Sequence, residues 1–73
     1  MKHELVNEQC RDQAEKYSAI GNHIMEMKWY NTAAARTIGH KKSDDYERLA
    51  REAAKKAGAA YQRCSYAEDW EAI

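Results

Sequence analysis

The side chains best suited to chemistry in this sequence are three histidines and two cysteines, which lie far apart along the chain. They are His3, Cys10, His23, His40 and Cys64. None of them stands in the C-x-x-C, H-x-x-x-H or E-x-x-H spacing that brings metal ligands together on a short segment. Two cysteines are also too few for a secreted disulfide framework. The sequence therefore predicts no metal site, and we expect the thiols to be reduced.

One local cluster, formed by His40, Ser43 and Asp44, has the residue types of nucleophilic catalysis. A reactive hydroxyl needs an adjacent base and a pocket that holds the substrate. Helix capping explains this cluster better, because a serine followed by acidic residues is a common start of a helix. We expect no enzyme activity and no cofactor.

The same region gives the clearest punctuation in the chain. Gly39 follows a periodic segment and can end a helix in the left-handed conformation. Ser43 can cap the next helix, whose first turn would hold acidic residues. With no proline and only three glycines in 73 residues, the composition also favours long helices. The prediction is an all-α antiparallel hairpin with a helix over about 3–38, a turn over 39–43 and a helix over about 44–71.

The first predicted helix has a seam of residues in alternating steps of three and four, as in a heptad repeat. Glycine and asparagine at positions 21 and 22 are its weak point, since a mid-helix glycine costs about 1 kcal/mol relative to alanine. The seam keeps its phase across them, so a continuous helix is favoured over the alternative of three helices with a break there. The seam comprises His3, Val6, Cys10, Gln13, Tyr17, Ile20, Ile24, Met27, Asn31, Ala34 and Ile38.

The second predicted helix has a matching seam of small residues, and small residues facing large ones let two helices pack closely. Each helix also has a second apolar stripe that one neighbour could not cover. A single domain over 1–73 is small for an independent core, so we expect two hairpins to form a dimeric four-helix bundle. The alternative is that these side chains lie across the edge of one hairpin. The second seam comprises Tyr46, Ala50, Ala53, Ala57, Ala60, Cys64 and Ala67, and the predicted dimer or protein interface comprises Met25, Trp29, Tyr66, Trp70 and Ile73.

Charge is divided unevenly, although the whole chain has a formal net charge of zero. Residues 28–63 contain nine Lys and Arg against four Asp and Glu, and the two ends contain three against eight. This division favours antiparallel pairing of two chains. A basic stripe around the turn could bind a partner or a nucleic-acid backbone, and the alternative is a solvated surface with ion pairs. The stripe comprises Arg36, Lys41, Lys42, Arg48, Arg51 and Lys55.

In layout, with one short turn and alternating seams, the predicted hairpin resembles the Rop family of plasmid RNA-binding proteins. That resemblance implies an antiparallel four-helix bundle and RNA binding, but no run of residues assigns contact positions. Without a long apolar stretch or a secretory signal, the chain is expected to be cytoplasmic. The leading hypothesis is a non-enzymatic module that binds and occludes a macromolecular partner, as phage or plasmid accessory and inhibitor proteins do. Nucleic-acid binding is the alternative.

Overall fold

A computed structural model describes the backbone of residues 2–39 and 41–67, and the side chains from residue 8 onward. Within those residues the chain forms three α-helices and no strand. Helix α1 spans Lys2–Ala19, α2 spans His23–Arg36 and α3 spans Lys41–Lys56. Residues 57–67 continue without regular structure. The predicted all-α class is confirmed, whereas the predicted number of helices is wrong.

The continuous helix predicted over 3–38 is interrupted at Gly21, whose φ is +81°. The Gly21 N–H donates to the carbonyl of Ser18 at 3.1 Å, and the Asn22 N–H donates to the carbonyl of Tyr17 at 2.9 Å. These two bonds form the Schellman motif, in which a left-handed glycine satisfies the last carbonyls of a helix. The glycine therefore ends α1 instead of bending it.

Asn22 then starts α2. Its side-chain oxygen accepts a hydrogen bond from the Met25 N–H at 3.3 Å, which is the usual N-cap contact. Gly21 thus ends one helix and Asn22 starts the next. The alternative of three helices with a break at these two residues is therefore correct for this region.

Gly58 ends α3 by the same device, with a φ of +69°. Its N–H donates to the Lys55 carbonyl, and the Ala59 N–H donates to the Ala54 carbonyl, both at 3.1 Å. The helix predicted over 44–71 is therefore wrong at its start and along residues 57–67. Residues 68–71 lie outside the described residues.

The turn between α2 and α3 is confirmed at Gly39, whose φ of +87° is left-handed. The predicted capping role of Ser43 is wrong, because α3 already begins at Lys41. The Ser43 hydroxyl instead donates to the Ala34 carbonyl at 3.1 Å, which ties the first turn of α3 to the last turns of α2.

Helix α2 is the central element, since it packs against both α1 and α3 and seven of its 14 residues are buried. The core around it is built largely from small side chains. Its buried apolar residues are Cys10, Ala14, Met27, Trp29, Tyr30, Ala33, Tyr46, Ala50, Ala53, Ala54 and Ala67.

The predicted seams are only partly buried. Cys10, Met27 and Asn31 are buried in the first seam, whereas Ile20 and Ile38 are 71% and 82% exposed. Ile20 directly follows α1 and Ile38 lies two residues beyond α2, where the backbone no longer keeps the helical face, whereas Ile24, which is 38% exposed, lies in the first turn of α2. The first two members of the first seam, His3 and Val6, lie outside the described side chains. In the second seam Ala57, Ala60 and Cys64 are exposed because α3 has already ended. The pairing of two hairpins into a bundle stays a prediction.

Candidate interaction cleft

Residues 59–67, which we name the C-terminal strap, fold back over α2 and are anchored there by Asn31. This asparagine is 2% exposed. Its Nδ2 group donates to the carbonyl of Gln62 at 2.8 Å and to the carbonyl of Ser65 at 3.0 Å. A polar residue in an apolar seam is therefore satisfied by the backbone of its own chain.

The next residue of α2, Thr32, provides a second anchor. Its hydroxyl donates to the Lys28 carbonyl at 2.9 Å and accepts a hydrogen bond from the Ala67 N–H at 3.0 Å. Both Thr32 and Ala67 are buried. Two neighbouring side chains of α2 thus hold the strap along most of its length.

Tyr61 connects the strap to both α2 and α3. Its hydroxyl donates to Asn31 Oδ1 at 2.9 Å, and the Arg51 guanidinium lies 4.6 Å from the centre of its ring. Burial raises the pKa of Tyr61, and the nearby Glu47 carboxylate raises it further, while Arg51 acts in the opposite direction. The phenol is therefore held in its neutral form, which can donate this hydrogen bond.

Between the strap, α2 and the start of α3 lies an open cleft of about 140 Å³. Two large apolar side chains that line it are exposed, Ile38 by 82% and Tyr66 by 41%. The lining also includes an acidic and a basic side chain, Glu47 and Arg63. The other lining residues are Asn31, Ala34, Ala35, Ser43 and Tyr61. The lining is about equally polar and apolar, so the cleft offers polar groups beside its exposed apolar side chains.

The predicted basic stripe is divided by the fold. Arg48 lies 3.6 Å from Asp45, and Arg51 lies 3.0 Å from Glu47, so both are paired on α3 itself. The Arg36 side chain is half-buried on α2. Burial raises the pKa of the nearby Cys10 thiol, and the positive charge of Arg36 lowers it by a smaller amount. The remaining members, Lys41, Lys42 and Lys55, are exposed on α3.

The residues predicted for a dimer or protein interface also occupy different environments. Tyr66 is exposed and lines the cleft. Trp29 is buried in the core, and Met25 is half-buried against that core. Among the described residues, the indole N–H of Trp29 has no hydrogen-bond partner. Trp70 and Ile73 lie outside the described residues, and the interface that these five were expected to form stays a prediction.

A buried carboxylate on α2 is a feature that the sequence patterns missed. Glu26 is 3% exposed. His23 Nδ1 lies 2.7 Å from Glu26 Oε1, and Lys56 Nζ lies 3.7 Å from Glu26 Oε2. A buried charge needs partners, and the contact with Lys56 also ties the start of α2 to the end of α3. The His-x-x-Glu spacing was the sequence signal available for this pair.

The groups considered for catalysis or metal binding are not brought together in the described part of the chain. Cys10 is buried, and burial raises the pKa of its thiol, which disfavours the nucleophilic thiolate. Ser43 is bonded to Ala34, and His40 lies outside the described residues. Among the side chains of residues 8–39 and 41–67, no three His, Cys, Asp or Glu residues are placed to hold a metal ion.

Fold and cleft together define a small all-α protein with a strap anchored by side chains beside an open cleft of mixed polar and apolar lining. No protein-family model matches this chain, and neither a curated protein nor a solved structure shows significant similarity to it. The layout shared with the Rop family depended on a two-helix hairpin, and the three helices remove that basis. None of the described helices is long and apolar enough to cross a bilayer.

Proposed function

We propose that this protein is a non-enzymatic interaction module that binds another protein through the cleft between Ile38 and Tyr66. The observation that carries the proposal is the convergence of these two exposed apolar side chains on one concave surface. Scattered single hydrophobic residues are ordinary on a protein surface, whereas a pair that lines one cleft is characteristic of an interaction site.

The chemistry of the lining favours an apolar anchor side chain of the partner, surrounded by polar contacts. Tyr61, Tyr66 and Arg63 are of the types enriched at the centres of protein interfaces. Glu47 and Arg63 offer charges of both signs, which would orient the partner more than they would increase its affinity. Binding of this kind would occlude the partner surface, as expected of an accessory or inhibitor protein.

The proposal is tested by capture of partners from a lysate of the native host with three tagged proteins. Ile38→Ser removes an apolar side chain from the cleft, and Ile20→Ser removes the same side chain from an exposed position between α1 and α2. We expect the same protein to be captured by the wild type and by Ile20→Ser, and to be lost with Ile38→Ser. Equal capture by both variants, or no capture by the wild type, would contradict the proposal.

Nucleic-acid binding is the second candidate, and exposed Lys41, Lys42 and Lys55 on α3 favour it. A nucleic-acid phosphate would have to compete with Asp45 and Glu47 for Arg48 and Arg51, because those ion pairs neutralise part of the same surface. Gel shifts with RNA and DNA in 50 mM salt, using a variant with all three lysines changed to Glu, distinguish the candidates. Binding that weakens steeply with salt and is abolished in the variant would favour nucleic acid over a protein partner.

A further inference from the structure

We infer that the C-terminal strap exchanges between two structures, the docked form seen here and a continuation of α3 as one longer helix. The first reason lies in its sequence. The apolar spacing of α3 at Ala50 and Ala53 continues through Ala57, Ala60, Cys64 and Ala67. Residues 57–67 contain four alanines, glutamine and arginine, all strong helix formers. The strap therefore has the composition and period of a helix, although it is docked without one.

The second reason is that the end of α3 depends on a single residue. Gly58 adopts a φ of +69°, which side chains other than glycine and asparagine rarely tolerate. A Cβ added to Gly58 would meet no atom within 4 Å. Its role is consequently to permit the backbone turn. Glycine also weakens a continuing helix more than any other residue except proline.

The third reason is that few polar groups hold the docked form, beside the packing of Ala67 and Tyr61 on the core. Asn31 and Thr32 supply the hydrogen bonds to Gln62, Ser65 and Ala67, and Tyr61 returns one to Asn31. Within residues 60–67, the backbone-to-backbone bond that the structure shows is Ser65 N–H to Gln62 carbonyl. A continued helix would replace these contacts with about one backbone bond per residue. The five hydrogen bonds of the docked form therefore compete with about eight backbone bonds that a helix would make over residues 60–67.

The exchange would also dismantle the cleft, because Tyr61, Arg63 and Tyr66 belong to the strap and line it. Only the effect of this loss on partner binding rests on the proposed function, and the exchange itself does not. Lengthening of α3 would uncover Asn31 and Thr32 on α2, and a partner that binds the cleft would stabilise the docked form.

The two forms differ greatly in the distance between Cys64 and Asn31. In the docked form Cys64 lies between the two residues whose carbonyls bond Asn31. Lys56, the last residue of α3, pairs with Glu26 near the start of α2. Continued as a helix at 1.5 Å per residue, Cys64 would lie beyond that point, on the order of 20 Å along the axis from Asn31. Cys64 is exposed and Cys10 is buried, so a thiol probe can be attached selectively.

The test attaches a nitroxide to Cys64 of the full chain and measures the broadening of the Asn31 and Thr32 amide signals, together with the carbon chemical shifts of residues 57–67. Gly58→Ala removes the glycine that permits the docked turn. We expect it to raise the helical population relative to the docked one about fivefold from helix propensity alone, with helical shifts over 57–67 and weaker broadening. Asn31→Ala, which keeps Gly58, should move both readouts in the same direction.

The matched control is Gly21→Ala, which places alanine at another left-handed glycine, remote in sequence from the strap. It should leave the broadening at Asn31 unchanged. Undiminished broadening in both Gly58→Ala and Asn31→Ala would overturn the inference. Loss of broadening without helical shifts would also overturn it, because the strap would then be released without joining α3. A wild-type strap that docks normally but fails to bind any partner would contradict only the proposed function.

Discussion

A carboxylate buried as deeply as that of Glu26 must be compensated by its neighbours, since an isolated charge in the core is strongly disfavoured. The two partners differ in what they can contribute. The contact with His23 is short, at 2.7 Å, and its side chain is 25% exposed. The contact with Lys56 is longer, at 3.7 Å, and its side chain is 52% exposed. Solvent therefore weakens the lysine contact more than the histidine contact.

We predict that His23→Ala lowers the free energy of unfolding by about 1–3 kcal/mol, because it leaves the buried carboxylate with one distant partner. Lys56→Ala should cost less than about 1 kcal/mol. Urea unfolding followed by circular dichroism measures both. Arg48→Ala, at an exposed pair on α3, is the control and should have little effect. Equal losses for His23→Ala and Lys56→Ala would show that the histidine contact does not carry the compensation.

At the scale of the helices, the break between α1 and α2 yields a second prediction. A Cβ at Gly21 would meet no atom within 4 Å, so the cost of a side chain there comes from the φ of +81° alone. We expect Gly21→Ala to lower the free energy of unfolding by roughly 1–2 kcal/mol. Gly21→Asn should cost clearly less, because asparagine tolerates the left-handed region. Thermal unfolding of the two variants checks this order, and an asparagine variant as unstable as the alanine variant would contradict it.

The helix boundaries show which parts of the fold could be predicted from the sequence. The all-α class and the turn at Gly39 could be predicted from composition and from a glycine at the end of a periodic segment. The break at Gly21 was predicted only as the alternative, and the break at Gly58 was missed, because spacing by three and four continues through both and such spacing does not record the sign of φ. The adjacent Gly21 and Asn22 were the readable signal, since one residue favours a helix stop and the other a helix start.

The cleft was harder to predict than the helices. Tyr66 was singled out as an interface residue, and it does line the cleft. Ile38 was instead assigned to a buried seam, and Tyr61 and Arg63 were placed within a helix. The bonds that position the strap join Asn31 and Thr32 to residues about 30 positions later, through side chains and backbone. Contacts of that kind leave no period in the sequence.

At the scale of the whole molecule, four buried or half-buried acidic groups among the described residues link stability to alkaline pH. Burial is the main cause that raises the pKa of Cys10, Tyr30, Tyr46 and Tyr61 above their ordinary values of 9.0 for the thiol and 10.0 for the phenols. The unfolded chain loses these protons first, so above those values it binds fewer protons than the folded chain. Stability contributed by these groups is therefore present below about pH 9 and is lost as pH rises through the folded pKa values.

We thus expect the urea midpoint to be steady between pH 7 and 8 and to fall progressively above pH 9. Measurement of the same transition in Tyr30→Phe, which removes one of the four protons, should give a shallower fall. A midpoint that stays constant to pH 10.5 would show that these groups do not remain protonated in the folded chain.

The size of the core bears on how the chain exists in solution. Six of the eleven buried apolar residues in the described part of the chain are alanines, which bury little area each. A domain of 73 residues with such a core is marginal alone, and Ile20, Ile38 and Tyr66 remain exposed. We therefore retain the proposal that two chains associate through one of two exposed apolar surfaces, the one at Ile20 or the one at Ile38 and Tyr66.

Association of two chains makes unfolding depend on protein concentration, because the folded dimer is favoured by mass action. Each tenfold dilution should lower the apparent free energy of unfolding by about 1.4 kcal/mol, which a series of urea transitions from 1 to about 100 µM can resolve. The same samples should scatter light as a particle of twice the 8.5 kDa chain mass. Ile20→Ser and Ile38→Ser show which exposed surface the two chains share, because only the variant at that surface should remove the dependence of unfolding on protein concentration. Midpoints that coincide across the series would mean that the alanine-rich core suffices for a monomer and that the cleft is open to a different protein.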